Sequence, residues 1–287
     1  EWERKRAVVR ERLRKLPEYV RQAVAVLKVE KPERGRPEKL ELERKVMLFL
    51  FARLLNKSNR GVEELLDLFS PLFGCDVSYK YVERLYSDEQ VRSALHNLFV
   101  LLLQDEGISG DFSGDGTGYS LSVRKHYASA PKKHGKKFVY AFRLIDLDSG
   151  LYVALGYSRK SEMDAFRKAL RMLSESGLAV DSVRLDKYYS SKKVLKLFDQ
   201  RTSVFVIPKK NISRIGIRWS RVLARILVNP IAFLSEYFFR NLSESGFSAD
   251  KQRFGSVIKQ KRDERQEAAL FSIGLLHNFY AVRVKPA

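Results

Sequence analysis

The stretch KKFVYAFRLIDLDSGLYVALGYS, residues 136–158, decides the fold. Its apolar residues alternate on both sides of Asp148-Ser149-Gly150, a turn signal, and such alternation is the mark of two strands joined as a hairpin. Immediately upstream, DFSGDGTGYSLSV (111–123) suits a further extended segment, thinned by Gly114, Gly116 and Gly118. Downstream, Ser161 and Asp164 form a capping box that opens a helix through Leu173 and stops before Gly177. VDSVRLD (180–186) reads as a short strand, SSKKVLKLF (190–198) as a short helix and TSVFVIP (202–208) as another strand. A long helical region, interrupted at Asn229-Pro230, follows.

That order is three antiparallel strands, helix, strand, helix, strand, helix. It is the order of an α/β, ribonuclease H-like mixed sheet with flanking helices, in which strand four lies parallel beside strand one. A crossover helix returns the chain parallel to the sheet, which makes the geometry accessible. Asp115 on the first strand and Asp186 at the end of the fourth would then stand on neighbours spaced ~4.8 Å apart. Asp111, four residues earlier, is the alternative first acid; the DGTG context favours Asp115.

A third acid comes from YFFRNLSESGFSADK, residues 237–251. At about 100° per residue, Tyr237, Arg240, Glu244 and Lys251 fall within an arc of about 60°. Read as one helix, the stripe would run about 21 Å at ~1.5 Å rise per residue, a length suited to a nucleic-acid backbone. A carboxylate facing a polyanion is repulsive unless a cation lies between them, which makes Glu244 a candidate metal ligand. The plainer alternative is a surface i,i+4 pair of Arg240 with Glu244. Three acids and phosphate oxygens suit two Mg²⁺ or Mn²⁺ ions, which prefer hard oxygen donors. Two such ions, ~3.5 to 4 Å apart, can activate a water or a 3′-hydroxyl and stabilise the leaving oxygen.

Composition points the same way. With 54 Lys plus Arg against 34 Asp plus Glu, the 287-residue chain carries a formal charge of +20, an excess that fits nucleic acid first and an anionic membrane second. Its apolar runs are too short to cross a bilayer, so no membrane partner is expected. The single cysteine, Cys75, excludes an internal disulfide and a Cys-based zinc site, and the four histidines form no close pair. A cytoplasmic, nucleoid-associated location is expected.

The N-terminal part divides in two. Residues 1–37 read as a basic N-terminal region: 1–30 carry a helical pattern, either an arm or an amphipathic helix covering its neighbour, and Arg34-Gly35-Arg36-Pro37 is extended and cannot continue the helix. That tetrapeptide resembles the core of an AT-hook, whose arginines enter a narrow A·T minor groove; a plain linker is the alternative. Residues 38–106 read as helices. There Ser78 caps YKYVERLY (79–86), a short segment that resembles the second helix of a helix-turn-helix with Lys80, Tyr81 and Arg84 toward DNA, or else one arm of an ordinary hairpin. Residues 107–287 would form the catalytic domain.

These residues also carry a family resemblance. The spacing Tyr237-x2-Arg240-x3-Glu244-x6-Lys251 reproduces the signature of DDE transposases of the insertion-sequence-four type. DGTGYS around Asp115 and LDKYYSS around Asp186 look like that family's first two acidic motifs. SGFSADKQRFG (245–255) and RQEAALFSIGLLHNF (265–279) are similar to the ends of prokaryotic insertion-sequence transposases. The resemblance spans roughly residues 107–280. It implies Mg²⁺-dependent cleavage and strand transfer with Asp115, Asp186 and Glu244 as the triad. It also implies that Tyr237, Arg240 and Lys251 touch double-stranded DNA at the element's ends, and that a homodimer acts on DNA. Only 58 positions separate Asp186 from Glu244, which leaves no room for the large β insertion of some relatives. A nuclease or resolvase on the same fold, and a domesticated DNA-binding protein without catalysis, are the competing readings; three intact acids argue against the second.

Overall fold

The computed structural model describes residues 2–28, 38–70, 74, 76–121, 138–210 and 216–282. It separates into two compact units. The first combines Glu1–Glu106 with Tyr119–Phe138 and Asp250–Val282; the second combines Gly107–Gly118 with Val139–Ala249 and Arg283–Ala287.

In the second unit the expected element order is present. β1 (Asp111–Leu121), β2 (Phe138–Asp146) and β3 (Tyr152–Ser158) are followed by helix α6 (Glu162–Ser176), β4 (Ser182–Leu185), helix α7 (Lys192–Leu195) and β5 (Ser203–Phe205). The sheet order is β3-β2-β1-β4-β5, with β2 and β3 antiparallel and β4 parallel to both β1 and β5. This is the ribonuclease H-like arrangement. Local chemistry explains the boundaries. Gly150, at φ +72°, turns the β2–β3 hairpin, and buried Asp146 accepts bonds from the N–H and hydroxyl of both Ser109 and Ser149. Ser161 caps α6 by accepting from the Asp164 N–H at 3.1 Å, and Gly177 closes that helix in the left-handed region.

β3 and α6 meet almost backbone to backbone. A Cβ placed on Gly156 would lie 1.9 Å from the Ala165 carbonyl oxygen and 2.6 Å from the Ala169 nitrogen. Phe142 and Phe166 stack edge to face at 4.9 Å beside this contact, filling the layer between sheet and helix.

Helices α8 (Ile217–Val228) and α9 (Pro230–Phe238) follow, broken at Asn229-Pro230 as expected, with Asn229 accepting from the Ala232 N–H. Then comes α10 (Asn241–Phe254). The single helix expected across 237–251 is not formed. Arg240, Leu242 and Ser243 donate to carbonyls three residues back, so a tight 3₁₀-type turn separates α9 from α10.

The first unit is helical: α1 (Trp2–Ala25), α2 (Leu42–Leu54), α3 (Asn59–Leu68), α4 (Tyr79–Leu85), α5 (Glu89–Asp105) and α11 (Asp263–Tyr280). β6 (Val257–Ile258) pairs in parallel with Ser120 and Leu121 at the end of β1. α1 is no free arm. It buries Leu16, Val20 and Ala23, and Arg12 donates to the carbonyls of Asn278, at 2.8 Å, and Ala281 while pairing with Glu106. The compact units also depart from a continuous 107–287 domain, because α11 packs on α1, α2 and α5. Among the described residues no single helix is long and apolar enough to cross a membrane.

Candidate active site

The paired register of β1 and β4 ends at Gly114 opposite Leu185. Asp115 and Asp186 are each the next residue, so two parallel strands deliver two carboxylates side by side. Asp186 leaves its strand as the cap of a 3₁₀ turn (Lys187–Tyr189), accepting from the Tyr188 N–H at 2.8 Å, and its other oxygen lies 3.2 Å from the Arg240 guanidinium. The same guanidinium nitrogen lies 2.7 Å from Glu244. Arg240 therefore ties the second acid to the third. The surface i,i+4 pair is present, but Asp186 joins it.

The start of α10 is fixed to β1 behind the acids. Ser113 shares a 2.5 Å hydroxyl contact with buried Ser243, the residue before Glu244, and donates to the Arg240 carbonyl at 3.3 Å. Tyr237 is 5% exposed, and Arg240 lies over its ring at 5.6 Å from the centroid. The structure thus puts Tyr237 beneath Arg240 rather than on an open face. Burial, with the three nearby carboxylates, raises its phenol pKa and keeps it neutral.

Asp111 stands elsewhere. Ser182 donates to its carboxylate, and Arg184 lies 3.6 Å away while pairing also with Glu236. It is answered by a cation of its own, whereas among the described residues Asp115 has only the adjacent Gly116 N–H, at 2.8 Å, against its burial and the charges of Asp186, Glu244 and Glu162. Those influences push Asp115 up to about 6 from the ordinary 3.8. Since the folded value is the higher, the folded chain holds this proton more tightly than the unfolded one. Ionised Asp115 therefore costs stability above pH about 6, and that cost disappears as the pH falls toward 4. In chelator-treated protein, Asp115→Asn should melt above wild type at pH 7.5, with the gap closing near pH 4. A variant that melts lower at both pH values would contradict this account.

Glu162 escaped the sequence reading. As the first residue of α6 it looks like an ordinary first-turn acid favoured by the helix dipole. Only the fold carries it to Asp115. Among the described residues no group of three or more acidic, histidine or cysteine side chains is gathered closely enough to hold a metal ion as it stands. The Arg240 side chain lies between two of the acids, Asp186 and Glu244. The donors themselves are hard carboxylate oxygens, and the unrelieved repulsion at Asp115 is what a divalent cation would remove.

Other basic residues lie in the first unit. The Lys251 ammonium is 5.4 Å from the Tyr119 ring centroid. On α4, Lys80 and Arg84 are exposed, Tyr81 is half-buried, and Val82 and Leu85 are buried. Arg34 and Arg36 lie outside the described residues. A cleft of about 540 Å³ is lined by Asn59, Arg60, Tyr79, Lys259, Gln260 and Lys261, among others. Burial, with Arg53 and Lys57 nearby, lowers the Lys259 pKa, so cations are crowded there.

Comparison with known proteins adds two findings. The chain is 65% identical over 284 residues to the "Probable transposase for insertion sequence element ISA1214" of Archaeoglobus fulgidus, covering 99% of this chain and 88% of that protein. It also superposes on piggyBac transposase in a synaptic complex with hairpin DNA, at TM-score 0.51 and 9% identity, over 92% of this chain and 70% of that one. The second likeness is one of fold alone. No family model matches the chain.

Proposed function

The chain belongs to the transposases of insertion sequence elements, and from that premise we propose that it cuts and joins double-stranded DNA at the ends of its own element. Asp115, Asp186 and Glu244 would hold two Mg²⁺ or Mn²⁺ ions. The observation that carries this reading is the pair of acids at the adjacent ends of β1 and β4, with Glu244 tied to Asp186 through Arg240. When bound, the ions supply activation of the attacking hydroxyl and stabilisation of the leaving oxygen.

The chain's own residues hold the acids and the DNA. Ser113 and Ser243 fix the start of α10, so that Glu244 faces β1 and β4. Arg240 keeps Asp186 and Glu244 together, and as a planar fork of donors it can take a phosphate when the carboxylates are given over to cations. Tyr237 sets the height of that guanidinium from below instead of touching DNA itself. Lys251, Lys80, Arg84 and the cleft containing Arg60, Lys259 and Lys261 would contact the phosphate backbone, with the cleft's crowded cations relieved by an anion. Joining two ends calls for two active sites, so a homodimer on DNA belongs to the proposal. Leu227, Val228 and Ile231, exposed at the α8–α9 bend, offer it apolar surface.

The test is incubation with duplexes carrying the element's ends and Mg²⁺, with nicks and joined products mapped at nucleotide resolution. Breaks at the element boundary, followed by joining to a second duplex, are expected. Cleavage that never proceeds to joining would leave a nuclease or resolvase instead.

A further inference from the structure

Resting on that reading of the site, we propose that Glu162 is a fourth carboxylate contributing to divalent-cation binding, set in place by the buried Tyr189 hydroxyl. The placement is specific. A Cβ on Gly116 would lie 2.4 Å from the Glu162 carboxyl carbon and 2.6 Å from its Oε1, so the acid lies directly on the backbone next to Asp115. Tyr189 donates to Oε1 at 2.7 Å. Its ring is fully buried, 5.2 Å from Phe142 and 4.9 Å from Phe166, so this donor cannot follow a wandering carboxylate. Tyr189 also ends the 3₁₀ turn that Asp186 caps. Glu162 is therefore braced against the strand of one acid and the turn of the other.

Stability alone gives no reason for a charge at this point. Glutamine would accept the same bond from Tyr189 and remove the repulsion with Asp115. Glu162 has no ion-pair partner among the described residues, and the dipole of α6 returns little to an acid in its first turn. A divalent cation held by Asp115 would turn this repulsion into attraction. One oxygen of Glu162 is committed to Tyr189, so its influence falls on the cation's surroundings and on Asp115. Residues in such supporting positions typically alter metal affinity ~10- to 100-fold.

The experiment is a Mn²⁺ titration, read by electron paramagnetic resonance, of the full chain bound to a duplex carrying an element end. Binding above that of Asp115→Asn is the signal. Glu162→Gln should weaken it about 10-fold or more, with an unchanged or raised melting temperature in chelator. Tyr189→Phe, which keeps the aromatic packing and releases the carboxylate, should shift it in the same direction by several-fold. A Glu162→Gln affinity equal to wild type overturns the inference while leaving the triad reading intact, and so does an unchanged affinity in Tyr189→Phe if Glu162→Gln does not fold. Wild type indistinguishable from Asp115→Asn would overturn both.

Discussion

Replacing Asp115, Asp186 or Glu244 with alanine is expected to lower DNA cleavage and joining by about 10³-fold or more, since each loss removes part of the field that stabilises charge developing at phosphorus. Asn at Asp115 should fail nearly as completely, because the amide keeps the shape and loses the charge that a hard cation needs. DNA binding without metal should survive or tighten in all of these variants, as a carboxylate facing phosphates is repulsive. The internal control is Asp111→Ala. Asp111 is already paired with Arg184 and Ser182, and Arg184 keeps Glu236 when Asp111 is gone, so cleavage should persist. A dead Asp111→Ala beside an active Asp115→Ala would reassign the first acid. Full cleavage by all three triad variants in Mg²⁺ would end the enzymatic reading.

The second large effect is expected from salt. A chain of formal charge +20 that neutralises roughly six to ten phosphates should lose ~10³ to 10⁵ in affinity between about 50 and 200 mM salt. Lys251→Ala should weaken binding on every sequence alike and reduce the log-log slope by about one unit. A wild-type slope shallower than about −2 would mean that most of this charge never meets a phosphate.

How much of this was legible in the residues depended on how local the causes were. The 136–158 hairpin, the Ser161 cap, the Gly177 stop and the break at Asn229-Pro230 are set by side chains within a few positions of the effect, and the sequence displays them. The pairing of Asp115 with Asp186 followed once the strand order was read, because a parallel register carries one acid to the other. The tight turn before α10 did not show, since the same residues satisfy i,i+3 and i,i+4 bonding and the choice is made by packing. Tyr237 carries the same letter whether it faces DNA or lies under Arg240. Glu162 was hidden behind an ordinary helix-start role, and its neighbour Gly116 is 46 positions away in the chain. The grouping of α11 with the N-terminal helices depends on contacts such as Arg12 with Asn278, which no local pattern encodes.

The contact of Gly156 with Ala165 and Ala169 has a consequence at the level of the genetic code. Every missense change of one base in a glycine codon leads to Ala, Val, Ser, Arg, Cys, Trp, Asp or Glu, and each of these carries a Cβ. At this position even the methyl of alanine would fall inside the carbonyl oxygen of Ala165, forcing α6 off the sheet and Glu162 away from Asp115. A gene copied from site to site accumulates errors with little repair by selection on any one copy. Codon 156 therefore has no gradual route of decay: its first amino-acid change is expected to silence the copy that carries it.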